Sequence, residues 1–245
     1  MSEPYDCCPK TKRVAHESVP WSLKEMALAM AFGAAVMLGA ATLVASIGQL
    51  APGRNLPASV MGSLVMAAEL ALLLPVWWLG PCKYRLSWSS LGFRPPDSWR
   101  AVGLGCLTLM ISMCFNAFWA ALLALWGLEM QPQVLPLFGG GLVGLFAALL
   151  AGGVFAPIAE EVFFRGYLHA GLRARLGHGC GLVLSSSLFA VAHVLPTSWP
   201  PIFLLGLLFA LLFEATGSIW PAIAAHSAIN VLGLLASYAL ASSAG

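Results

Sequence analysis

The stretch LVGLFAALLAGGVFAPIAEEVFFRGYLHAGLRAR, residues 142–175, decides how the chain folds. It carries no charge from Leu142 to Ala159, then meets Glu160, Glu161 and Arg165, and ends on Arg173 and Arg175. An uncharged apolar run of this length is the signature of a helix that crosses a bilayer. Only Pro157 interrupts it, so the stretch reads as one helix. At a rise of ~1.5 Å per residue it is about 50 Å long against a hydrocarbon core of ~30 Å, and must tilt, bend or protrude. The Gly139-Gly140-Gly141 break marks where it begins.

The rest of the chain has the same character. Of its 245 residues, 60% are hydrophobic and 9% charged, with a mean hydropathy of +0.86, whereas a soluble globule is roughly 25% charged. The solvent is therefore lipid. A net charge of +2 and the absence of a basic stripe exclude a nucleic-acid partner. The six cysteines form no C-x-x-C pair and no ladder of spacings, so neither a zinc ribbon nor a disulfide framework is readable. Cys7 and Cys8 are placed for acylation near a membrane, with unmodified thiols as the plainer reading.

Apolar runs at Met26–Ile47, Val60–Leu79, Ala101–Leu128, Leu142–Arg175, Gly179–Leu195, Ile202–Phe213 and Ile219–Ala241 give about seven transmembrane helices. The sixth is short and the others are full spans. The first run is too long for a signal-peptide core and is read as retained. The fold class expected is an all-α polytopic membrane protein. Residues 1–25 form a cytoplasmic tail, 26–130 the first three helices and 131–245 the last four. Cytoplasmic flanks accumulate Lys and Arg. Lys10, Lys12, Arg13 and Lys24, then Lys83, Arg85, Arg94 and Arg100, then Arg173 and Arg175 fall on one side, against Arg54 on the other. The chain is thus expected in the cell membrane with its N-terminus cytoplasmic and its C-terminus outside.

A charge at the centre of a span costs at least ~2.5 kcal/mol on insertion, so each one needs a partner or a task. Glu161 and Arg165 are four apart and meet on one helix face as a structural pair. Glu160 is rotated about 100° from Glu161 and has no partner on its own helix, which suits a general base. His226 and Asn230 are also four apart, and present an imidazole and a carboxamide able to hold a developing oxyanion. His193, at the end of the fifth run, adds a second imidazole. Counted along their helices, Glu160 and His193 lie at matching depth, ~21 to 23 Å from the cytoplasmic turn. The short sixth helix lifts His226 to a similar height, and a polar cavity follows in the outer half of the membrane. Glu69 and Asn116 read as packing contacts or cavity lining, and His16, His169 and His178 carry no catalytic role. Gly152 and Gly153 read as a site where a neighbouring helix approaches closely.

Glu160-Glu161-Val162-Phe163-Phe164-Arg165-Gly166, Phe189 to His193 and His226-Ser227-Ala228-Ile229-Asn230 resemble, in order, the E-E-x-x-x-R, F-x-x-x-H and H-x-x-x-N motifs of the CPBP family of intramembrane proteases. Leu91-Gly92-Phe93-Arg94 also resembles its bacterial members. That family includes CAAX prenyl endopeptidases and relatives linked to bacteriocin processing and self-immunity. The resemblance implies a catalytic cavity inside the bundle and hydrolysis of a peptide bond in a membrane-associated protein or peptide. Glu160 and His193 would activate water, while His226 and Asn230 stabilise the oxyanion. It favours a mechanism with no cofactor; the alternative is zinc held by Glu160, His193 and His226, a set with an open fourth position. Two other functions stay open: a proton-coupled transporter using the buried Glu and His residues, and a non-catalytic immunity or scaffold protein.

Overall fold

The computed structural model describes residues 19–50, 57–128, 134–193 and 195–243. Cys7, Cys8, His16, Lys10, Lys12, Arg13 and Arg54 lie outside them. The chain is an all-α polytopic membrane protein, with no strand among the described residues. Among the described residues there are seven long helices: α1 (Leu23–Leu50), α2 (Ala58–Cys82), α3 (Ser98–Ala124), α4 (Gly141–Leu176), α5 (His178–Ala192), α6 (Trp199–Thr216) and α7 (Trp220–Ser243). All but α5 are long and apolar enough to span a membrane.

The short helix is therefore α5, not the run at 202–213, and the reason lies in the prolines. Pro196, Pro200 and Pro201 lie between the apolar runs at 179–195 and 202–213 and do not shorten the second helix. They occupy instead a 3-10 turn, Pro196–Ser198, and the first turn of α6, where a missing N–H costs nothing because that group has no helical partner. At its far end α6 continues past Phe213 to Gly217, whose φ of +64° closes it. Helix α5 stops at Ala192 instead of Leu195, and His193 has extended backbone, φ −87° and ψ 123°. His193 is thus the residue that directly follows the helix, one position past Ala192.

Helix α4 is the central element. It begins where predicted, with Gly139 and Gly141 at φ +93° and +66°, a region glycine enters freely. Two π-helical segments, Ala151–Phe155 and Val162–His169, flank a short α-helical turn, Ala156–Glu161. Each π turn takes an extra residue and re-aims the side chains that follow. Glycine at 153 brings α7 close, because a Cβ there would lie 2.8 Å from Val231 Cγ2. The contact expected of Gly152 and Gly153 is made.

One end of the bundle is tied together by polar contacts. Trp21, fully buried, stacks on Tyr167 with centroids 4.9 Å apart and donates its indole N–H to the Tyr167 carbonyl at 2.9 Å. Arg175 donates to the carbonyls of Val19, Pro20 and Trp21. Ser22 and Glu25 cap α1 reciprocally, and Glu25 also pairs with Lys83 and accepts from Tyr84. The Ile219 N–H donates to Gly92 O at 2.9 Å, and Ser218 Oγ to Arg94 O at 2.6 Å. The start of α1, the α2–α3 connection and the α6–α7 turn therefore share an end with the foot of α4.

Candidate active site

Glu160 and Glu161 end the short α-helical turn of α4. Glu161 is fully buried, and its Oε1 accepts from Arg165 Nη1 at 2.9 Å and from His226 Nδ1 at 2.8 Å. The expected pair with Arg165 is present, but the same carboxylate also holds the imidazole of α7. Arg165 is itself buried, with its guanidinium 4.1 Å from the Phe189 ring centroid and 5.1 Å from that of Phe209. Both aromatic faces attract the cation in surroundings where water is absent. Phe209 also stacks on His226, with centroids 5.0 Å apart and planes at 26°.

The contact from Nδ1 to a carboxylate fixes His226 in space, since an acceptor-only partner requires the proton on Nδ1. Its other nitrogen, Nε2, faces Glu160 Oε2 at 3.8 Å, beyond hydrogen-bond length. Glu160 Oε2 is buried and has no hydrogen-bond partner. Glu160, Glu161, Arg165 and His226 are thus brought together, although they derive from two helices far apart in sequence.

His193 and Asn230 stand apart from that group. His193 Nδ1 donates to the Phe189 carbonyl at 2.9 Å, which leaves Nε2 with its lone pair. Its own carbonyl accepts from Trp199 Nε1 at 2.7 Å. The Phe189 ring meets both imidazoles edge-on, with centroids 5.1 Å from His193 and 6.0 Å from His226, so the two histidines border one aromatic ring. Asn230 Nδ2 donates to the Gly152 carbonyl at 2.8 Å. The π turn explains that bond. The Ala156 N–H bonds to Ala151 O, and Pro157 has no N–H to offer, so Gly152 O loses its partner within the helix. Asn230 supplies one, and keeps a second Nδ2 hydrogen.

Two other residues, Phe209 and Glu214, went unmarked in the sequence. Phe209 has no mark that separates it from its apolar neighbours, yet it stacks on the imidazole. Glu69 is half-buried on α2 and within electrostatic reach of Glu160. Glu214 escaped notice because α6 was expected to end at Phe213. It joins His169 at 2.9 Å, His178 at 3.1 Å and Arg173 at 3.4 Å, and so links α4, α5 and α6. Asn116 bonds only to Ser112 O on its own helix.

A metal would need three convergent ligands. Among the described residues no group of three His, Cys, Asp or Glu side chains is arranged to hold one. Both histidines keep Nε2 free of hydrogen bonds, with Nδ1 on a carboxylate or a carbonyl, so it is spacing alone that separates Glu160, His193 and His226 from such a set.

An all-α membrane bundle with an arginine, two glutamates and a histidine gathered inside it marks a functional site rather than an inert anchor. Residues 142–232, which carry the three motifs at Glu160–Arg165, Phe189–His193 and His226–Asn230, match the family described as type II CAAX prenyl endopeptidase Rce1-like. No curated protein and no solved structure matches the chain.

Proposed function

We propose that the protein hydrolyses a peptide bond of a membrane-associated protein or peptide, with Glu160 as the base that takes the proton from water. The observation that carries this reading is His226 held by Glu161 at 2.8 Å with its free nitrogen toward the unpartnered Glu160 Oε2 at 3.8 Å. The space between them is bounded by an acceptor and an imidazole, as an attacking water and a developing oxyanion require. Water adds to the scissile carbonyl as Glu160 takes its proton. With hydrogen on both its nitrogens, His226 donates Nε2–H to the oxyanion alongside the second N–H of Asn230, and collapse breaks the C–N bond as Glu160 returns the proton to the amine. His193, with its Nε2 lone pair beyond Phe189, assists Glu160 when substrate draws the two walls together. Glu161 acts as the positioning residue for His226.

The mechanism is glutamate-type and needs no metal, so chelator leaves activity intact; loss on chelation with return on adding zinc would overturn it. The protein lies in the cell membrane with its cationic end cytoplasmic. A leader peptide or a C-terminal sorting helix presented from the other face is the substrate that suits this orientation. The test is cleavage of tagged membrane-protein substrates by purified wild type and Glu160→Gln in detergent. The variant is expected to lose at least about 100-fold in rate, and equal cleavage by both forms would refute the assignment of the base.

A further inference from the structure

Donation to the oxyanion requires His226 Nε2 to point beside Glu160, and the bond from Nδ1 to Glu161 Oε1 at 2.8 Å fixes only one atom of the ring. The imidazole can still turn about the line from Nδ1 to Oε1, which swings Nε2 away. A flat partner against the ring face removes that rotation. Phe209 is such a partner: it lies on α6, outside the three motifs, is fully buried, and stacks on His226 with centroids 5.0 Å apart and planes at 26°. Phe189 lies 6.0 Å away with its plane at 89° to the imidazole, so it borders the ring without lying flat on it. The Phe209 ring is itself held in place. Three residues earlier on α6, Gly206 brings the helix against α5, since a Cβ there would lie 2.9 Å from Ser186 Cα. On the α7 side Phe209 packs in one buried cluster with Ala222 and Ala225, small residues within about a turn of His226. An aliphatic side chain could fill the same space, but only a planar one lies flat on an imidazole.

We propose that Phe209 is a positioning residue for the hydrolysis: its ring face fixes the plane of the His226 imidazole, Glu161 fixes Nδ1, and the two contacts together aim Nε2 into the space beside Glu160. This rests on the reading of His226 as an oxyanion donor. Phe209 takes no proton and makes no bond to the reacting atoms. It sets the fraction of molecules whose imidazole is turned for donation, so it acts on kcat and leaves substrate binding alone.

Non-natural side chains at position 209 of the purified full chain separate this role from the filling of space. Phe209→cyclohexylalanine keeps the size and apolar character but loses the flat face, and Phe209→4-fluorophenylalanine keeps the flat ring. The first should lose about tenfold in kcat with KM unchanged, and the second should stay within about twofold of wild type. Rates are taken per folded molecule, because the same ring lies 5.1 Å from the Arg165 guanidinium and loss of that contact is read in the melting temperature. Phe209→cyclohexylalanine at wild-type kcat, or both variants equally impaired, would overturn the proposal. Nuclear magnetic resonance of histidine-labelled wild type needs neither variant at 209 nor substrate, and decides if Phe209→cyclohexylalanine does not fold. The carbon-bound ring protons of His226, assigned by their loss in His226→Gln, should lie upfield of those of the exposed His178, shifted by the ring current of Phe209. Unshifted His226 protons would overturn the proposal whatever the activity. Full cleavage by His226→Gln would refute the oxyanion reading, whereas an upfield His226 together with wild-type kcat in Phe209→cyclohexylalanine refutes the role of Phe209 alone.

Discussion

Replacing Glu161 with glutamine leaves its shape but removes the charge that Arg165 and His226 share at 2.9 Å and 2.8 Å. Arg165 then remains buried with only the faces of Phe189 and Phe209 for company. Stranding one partner of a buried pair costs about 3 to 5 kcal/mol, so Glu161→Gln should melt well below wild type in detergent and lose activity as His226 turns. Arg165→Met removes the cation but leaves the Glu161 to His226 bond. It is expected to lower the melting temperature too, while retaining more of kcat than Glu161→Gln does. Equal kcat losses at matched stability would show that His226 does not depend on Glu161. The sequence makes the Glu161–Arg165 half of this cluster legible, because four residues along a helix bring two side chains to one face. The half contributed by His226 comes from 65 residues away. It depends on how α4 crosses α7, and no local spacing encodes that.

At the level of elements, the π turns of α4 decide what Asn230 does. Read from spacing, Asn230 belongs beside His226 as an oxyanion donor. In the folded chain it first repairs the backbone at Gly152. Asn230→Ala should therefore destabilise the protein by about 1 to 3 kcal/mol, the cost of a buried carbonyl left unsatisfied, and Asn230→Asp should be worse because it offers no donor when ionised. Thermal melts in detergent read this without any substrate. A melt unchanged by Asn230→Ala would leave the oxyanion as its sole role. Similarly, Gly153→Val should separate α4 from α7, since even a first carbon there meets Val231 Cγ2 at 2.8 Å. Overpacking of this kind costs about 1 to 3 kcal/mol. The same element-scale physics explains where the sequence reading of α5 and α6 failed. Proline marks a helix boundary either as a stop or as a first turn, and only the packing of Ser198, Pro201 and Ile202, all buried, selects the second.

One end of the molecule is tied together across several connections. Arg175 clamps the chain entering α1, Glu25 of α1 holds Lys83 and Tyr84 after α2, and the α6–α7 turn bonds to the loop at Gly92 and Arg94. Glu214 near the end of α6 meets His169, Arg173 and His178 around the α4–α5 turn. Every one of these connections lies at the end where α1 begins, and α7 runs from that end to the other. Lys24, Lys83, Arg85, Arg94, Arg100, Arg173 and Arg175 belong to the same end, the arrangement that cytoplasmic loops show. A phosphatase fused after Ser243 should therefore be active, because it is exported, whereas a fluorescent protein that folds only in the cytoplasm should stay dark at that position. Fusions in the 83–97 loop should give the reverse. A bright cytoplasmic fusion after Ser243 would invert the topology and bring Glu160 and His226 nearer to cytoplasmic substrates instead.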